Sequence, residues 1–247
     1  MVKKPASPYP MFLRRILKKI LSEDYYTTLI GRHERTSIAI WELISIKIKP
    51  DESIFDIGAY HGEYSKYSRF NNIKSKIFAF EPNPLTIDVL RTNCKNSDIK
   101  IQEIAFSDKE GKFKFFINGK ASSLKPNKSN QVSLEVETRT IDSFVQEHIK
   151  SSPKLIKIDT EGNEPFIIKG GINTIKKYNP IILCEVLNDE IGKSIDKVLP
   201  DNYIYYHIDE KYKSLKKKIV INRKLWRNRN WLFVPNTEEE NIKKMGF

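Results

Sequence analysis

Cysteine is nearly missing from this chain, with only Cys94 and Cys184 among 247 residues. Two cysteines so far apart exclude a disulfide framework, and the lack of any C-x-x-C pair excludes the common zinc and thiol-redox motifs. Both are expected to be buried as small apolar residues. Histidine is scarce as well, and His33, His61, His148 and His207 show no metal-ligand spacing, so no metal site is read from them. No apolar run approaches the roughly 20 residues needed to span a bilayer. The stretch from Met11 to Leu21 is interrupted by Arg14, Arg15, Lys18 and Lys19. It lacks the apolar block and small-residue cleavage site of a secretory signal. These absences lead to the expectation of a cytoplasmic protein without a transmembrane segment, its basic N-terminal helix at most touching an anionic membrane surface. Acidic residues are in deficit: 43 Lys and Arg against 31 Asp and Glu leave a net charge of +12. That excess suits an anionic partner, although lysine and asparagine are abundant along the whole chain and bias alone raises the charge.

What is present is an ordinary globular balance, 39% hydrophobic and 30% charged, in a chain long enough for one α/β domain. Residues 1–50 read as a helical lead-in, with Phe12, Ile16, Leu17 and Ile20 on one helix face and a second helix from Glu34 to Ile48 ended by Pro50. Residues 51–247 read as one compact unit with a basic C-terminal segment. Strands are expected at Ser53–Ile57, Lys76–Phe80, Lys100–Phe106, Leu155–Ile158, Ile181–Val186, Tyr203–Ile208 and Trp231–Val234. Helices are expected at Glu63–Phe70, Pro84–Asn96, Ile141–Ile149, Glu164–Lys177 and Asp189–Val198. This alternation implies a mainly parallel sheet covered on both faces. Lys112–Ile117 and Val132–Glu137 alternate like an inserted hairpin, and the last strand is free to enter the sheet antiparallel.

Ligands of such sheets bind beyond the carboxyl ends of the strands, and the chemistry-bearing residues gather there. The first strand runs into Asp56-Ile57-Gly58-Ala59-Tyr60-His61-Gly62, where Gly58 permits a tight turn and Gly62 opens the next helix. The second ends in Phe80-Glu81-Pro82-Asn83-Pro84. Glu81 is placed to accept both ribose hydroxyls of a nucleoside ligand. The third ends in Ala105-Phe106-Ser107-Asp108, placed to flank an adenine ring or, equally, to make a turn. The fourth gives Lys157-Ile158-Asp159-Thr160-Glu161-Gly162-Asn163-Glu164. Paired carboxylates beside a glycine are poor turn chemistry and costly if buried, but they suit a polar substrate. Glu185, after the fifth strand, can face the same crevice. The dinucleotide signature G-x-G-x-x-G is replaced by D-x-G-x-x-x-G. Asp56 would repel a pyrophosphate and attract the ammonium and sulfonium of S-adenosylmethionine.

Four stretches, Asp56-Ile-Gly-Ala-Tyr-His-Gly62, Phe80-Glu-Pro-Asn-Pro84, Ala105-Phe-Ser-Asp-Lys-Glu-Gly111 and Ile156-Lys-Ile-Asp-Thr-Glu-Gly-Asn-Glu164, look like the successive signatures of the FkbM methyltransferases. The order and spacing agree from about Glu34 to Val186. The resemblance implies a Rossmann-like class I methyltransferase fold with a mainly parallel seven-stranded sheet. It also implies O-methylation of a carbohydrate, glycan or small natural-product hydroxyl.

The donor-binding residues are then expected to be Asp56, Gly58, Ala59, Gly62, Glu81, Ser107 and Asp108. The catalytic ones are Asp159, Glu161 and His61, with Asp159 the first choice of base. A divalent cation held by Asp159 and Glu185 is an alternative that two ligands do not establish. Ser122 and Ser123 either meet a ligand or form a plain turn. Lys211 to Arg229 holds nine basic residues and no acidic one, with Tyr212 and Trp226 interleaved. A solvated connection, a site for an anionic or lipid-linked acceptor, and an RNA contact all fit it. The rival functions are therefore an RNA ribose methyltransferase, or a non-catalytic binding module that keeps the fold. Oligomeric state is not legible.

Overall fold

The computed structural model describes residues 35–70, 74–118, 121–125, 132–222 and 229–246. The helix expected from Met11 onward and the Arg223–Arg227 part of the basic segment lie outside these residues. In chain order the elements are α1 (Arg35–Ser45), β1 (Glu52–Ile57), α2 (Glu63–Phe70), β2 (Lys76–Phe80), α3 (Pro84–Asn93), β3 (Ile99–Gln102) and β4 (Ala105–Phe106). There follow β5 (Gly111–Phe116), β6 (Ser133–Arg139), α4 (Ile141–His148), β7 (Ser152–Ile158), α5 (Glu164–Gly170), α6 (Ile172–Tyr178) and β8 (Ile181–Glu185). The chain continues through α7 (Asp189–Asp196), β9 (Tyr203–Asp209), β10 (Ser214–Lys218), β11 (Asn230–Pro235) and α8 (Glu239–Lys243).

The main sheet has the order β10-β9-β11-β8-β7-β1-β2-β3. From β3 to β8 its neighbours are parallel, while β11 runs antiparallel between β8 and β9. The seven expected strands are joined by an eighth, β10, which pairs antiparallel with β9 at the edge. That strand is a correction: Ser214 to Lys218 was expected to lie in a connection. Its lysines hid it, although charged edge strands are how sheets avoid pairing with other chains. A second correction concerns Lys100–Phe106, expected as one strand. The chain leaves the sheet after Gln102, and Ala105–Phe106 pairs with β6 in a separate three-stranded sheet, β4-β6-β5. The expected long helix from Glu164 is likewise two helices meeting at Gly170-Gly171, where a Cβ on Gly170 would lie 2.1 Å from the Ser107 carbonyl oxygen.

The period-two alternation of each strand sorts its side chains onto two covered faces. Phe55 and Ile57, Phe78 and Phe80, Ile156 and Ile158, and Ile182 and Cys184 pack on one face with α4 to α7. Ile54, Ile77, Leu155 and Leu183 pack on the other with α1, α2 and α8. Helix α1 is part of this second layer: Ile38, Ile40, Trp41 and Ile44 are buried. Trp41 Nε1 donates to the Tyr64 carbonyl at 3.1 Å and to Ser68 Oγ at 2.7 Å. The covering layer thus begins before residue 51. On the first face Phe80 sits among Phe55, Phe106 and Phe144 at centroid distances of 5.2, 4.7 and 5.0 Å, all edge-on, the arrangement aromatic rings prefer. This rigid floor lies directly beneath the site. No helix among the described residues is long and apolar enough to cross a membrane.

Candidate active site

The order of the sheet reverses between β1 and β7, the position where open α/β sheets bind ligands. A cavity of about 390 Å³ opens there, within the usual size of small-molecule sites. Its lining includes Gly58, Ala59, Tyr60 and Glu81 on the β1–β2 side, Ile104, Ala105 and Phe106 beyond them, and Asp159, Glu161 and Glu185 on the β7–β8 side. Ser122 and Ser123 close it from the smaller sheet.

Glu81 is held by the backbone around it. Its Oε2 accepts the Tyr60 N–H at 2.8 Å and its Oε1 accepts the Asn83 N–H at 2.9 Å. Burial raises its pKa above the usual carboxylate value, and those two N–H bonds oppose the rise. A carboxylate has about four lone-pair positions, so the two oxygens keep acceptor capacity toward the cavity. Gly58 is held at φ +74, the left-handed turn expected of it, and a contact adds a second need for glycine. A Cβ there would lie 1.8 Å from the Asp159 carbonyl oxygen. The close approach is that of the β7 backbone, and it sets the Gly58 turn against the residue carrying the first catalytic candidate.

Several expected site residues lie off the lining. Asp56 is fully buried beneath the cavity, where its Oδ2 accepts the Ser65 N–H at 3.0 Å and the Ser65 hydroxyl at 2.7 Å. It caps α2 and faces Lys157, its register partner across β1 and β7. Lys157 Nζ stands 3.6 Å from Asp56, 3.3 Å from Asp159 and 3.1 Å from the Gly58 carbonyl. Lys157 lines the cavity and Asp56 does not. Gly62 abuts Leu90 and Cys94 of the α3 region. His61 stacks on Tyr60 at 3.7 Å, outside the lining residues. Ser107 and Asp108 turn toward α5: the Ser107 carbonyl meets Gly170, and Asp108 pairs with Lys169 at 2.9 Å. The apolar trio Ile104, Ala105 and Phe106 lies on the cavity where that polar pair was expected.

The β7–β8 side carries the charge. One oxygen from each of Asp159, Glu161 and Glu185 lies within 4.8 Å of the other two. Glu161 is held in the left-handed region at φ +56. Glu164, itself fully buried, accepts the N–H groups of Thr160 at 2.9 Å and Gly162 at 3.1 Å, on either side of Glu161. Those bonds fix the turn that presents Glu161. Burial, reinforced by the Asp159 charge, lifts the Glu161 carboxyl to about 7. Burial together with Asp159 and Glu161 pushes Glu185 up to about 9, against the pull of Arg229 at 3.4 Å. Sequence reasoning missed Lys157, Glu164 and Arg229 as parts of this site. Lys157 left a usable signal, a lysine between two isoleucines in a central strand. Arg229 was hidden within a run of nine basic residues.

A family model described as the methyltransferase FkbM domain matches residues 56–205. The chain is 26% identical over 161 residues to the hexuronic acid methyltransferase AglP of Haloferax volcanii, covering 64% of this chain and 66% of that protein. It is 28% identical over 155 residues to the 2-O-methyltransferase NoeI of Sinorhizobium fredii, covering 55% and 64%. The match thus spans just under two thirds of either relative's length. Among solved structures, the chain resembles a methyltransferase FkbM of Methylobacillus flagellatus with a TM-score of 0.48 at 17% identity, over 76% of this chain and 44% of the other.

Proposed function

The chain belongs to the FkbM methyltransferase family, and from that membership we propose that it moves a methyl group from S-adenosylmethionine to a hydroxyl of a carbohydrate-type acceptor. The observation that carries this reading is one cavity with Glu81 and an apolar wall at one end and three carboxylates at the other. The donor, when bound, supplies an electrophilic methyl on a sulfonium centre. The residues at the first end fit it: Glu81 offers carboxylate acceptors to ribose hydroxyls, and Ile104, Ala105 and Phe106 offer an apolar wall to adenine. Asp56 acts from below by holding Lys157 and the start of α2.

At the acidic end one of the neighbouring carboxylates Asp159 and Glu161 takes the acceptor's proton. The donor would supply the methyl carbon to the acceptor oxygen and would leave as the neutral thioether with the sulfur–carbon electron pair, while the carboxylate of Asp159 or Glu161 would hold the released proton. A base is most effective with a pKa near the working pH, and Glu161, lifted to about 7, meets that condition. The two curated relatives, named for hexuronic acid methylation and for 2-O-methylation, support a sugar hydroxyl as the acceptor. The net charge of +12 suits an acidic sugar.

The test is to incubate the chain with methyl-labelled donor and a panel of neutral hexose, uronate, lipid-linked glycan and RNA acceptors, and to locate the label by mass spectrometry. Label on a sugar oxygen, with kcat falling about 10²–10⁴-fold in Asp159→Asn, is the expected result. Label on RNA alone would overturn the acceptor class.

A further inference from the structure

We propose that Asp159, Glu161 and Glu185 form a binding site for one hard divalent cation, of the Mg²⁺ or Mn²⁺ type, in the wall of the cavity. The sequence offered two separated carboxylates, and the fold brings in a third. The turn 160–162 folds Glu161 back toward Asp159, and Glu185 arrives from the end of the adjacent strand, so one oxygen from each falls within 4.8 Å of the others. Around one ion with metal–oxygen distances of about 2.1 Å, neighbouring ligand oxygens stand about 3 Å apart and opposite ones about 4.2 Å. The three oxygens, already within 4.8 Å of one another, stand near those spacings. An all-oxygen, all-carboxylate donor set selects hard cations over zinc or copper.

A second observation points to a ligand. Glu185 is 9% exposed, and its Oε2 is buried without a hydrogen-bond donor. Its Oε1 meets Arg229 only at 3.4 Å. A buried carboxylate oxygen without a donor is costly, and the residue that carries it lines the cavity beside two further carboxylates. Lys157 divides itself between Asp56 and Asp159, and Glu164 adds another buried carboxyl close by. A divalent ion would satisfy the orphan oxygen and leave coordination positions open to the cavity. On the reading given above, an acceptor hydroxyl would fill one of them and be acidified there.

The experiment is titration of the full, chelator-treated chain with Mn²⁺, followed by electron paramagnetic resonance of the free ion. Uptake of one ion per chain at about 1 mM or tighter is expected, weakened at least about tenfold in Glu185→Gln and in Glu161→Gln. Glu161 is only half-buried, so its variant tests the site even if loss of Glu185 unsettles the fold. No uptake by the wild type, or uptake unchanged in both variants, overturns the site. The readout is the ion itself. Failure of donor binding alongside intact Mn²⁺ uptake would strike the transferase reading and leave this one standing.

Discussion

Burial and the neighbouring carboxylates raise the proton affinity of Glu161 and Glu185, and that has a consequence for stability. Glu185 faces Asp159, Glu161 and Glu164 as negative neighbours and Arg229 as a positive one, with Lys157 paired to Asp159. In the unfolded chain it titrates at its ordinary value of 4.5, whereas in the folded chain it is pushed to about 9. The native state therefore holds more protons between those values, and stability must fall as pH rises through that window. The Glu161 part of the loss comes earlier, around its value of about 7. Urea unfolding of the metal-free protein at pH 5 and pH 9 isolates the effect. Glu185→Gln is expected to gain on the order of 1–3 kcal/mol relative to wild type at the higher pH and close to nothing at the lower. An equal difference at both values would show that Glu185 stays ionised throughout. At this scale the sequence was partly legible. Glu81, Asp159 and Glu161 stand out as carboxylates at strand ends, where no turn requires them. Asp56 stands out equally, yet it answers to a lysine on the adjacent strand, and cross-strand register cannot be read from one chain of letters.

At the scale of elements, glycines separate two physical roles. Gly58 at φ +74 combines a left-handed backbone with a Cβ position 1.8 Å from a carbonyl oxygen, whereas Gly162 at φ +109 has nothing nearer than 3.8 Å. Gly58→Ala is therefore expected to cost at least about 3 kcal/mol, and Gly162→Ala about 1–2 kcal/mol from backbone strain alone. Chemical denaturation of the two variants compares them directly; equal losses would mean that β1 and β7 separate freely at their ends. Most strands were visible from the sequence because buried parallel strands are short apolar runs bounded by turns, as at Ile181–Glu185. The errors share a cause, which is that sequence patterns do not show which sheet a segment joins. Lys100 to Phe106 has one continuous strand pattern but serves two sheets. Ser214–Lys218 looks like a solvated connection because an edge strand tolerates lysine on both faces. The break at Gly170-Gly171 is set by the approach of the Ser107 backbone, a tertiary contact from another part of the chain.

Across the whole molecule, the order of the strands brings the site together. Residues 57 to 60, 81, 104 to 106, 159 to 161, 185 and 229 come from segments far apart in the chain, and the reversal of order between β1 and β7 gathers them around one cavity. The alternation of strands and helices made that architecture readable in advance, and the four ordered motifs made the family readable. The acidic end was harder, because it depends on β8 lying beside β7 and on the β11 register that carries Arg229 toward Glu185. The central claim is that the Glu81 end of the cavity binds the methyl donor. Isothermal titration of the chain with S-adenosylmethionine, beside a Glu81→Ala variant checked for folding by its melting curve, tests it most directly. The account predicts a single site of roughly micromolar affinity in the wild type, with no measurable heat of binding in the folded variant. A wild-type protein that binds no donor, or a variant that binds it as well as the wild type, would contradict it.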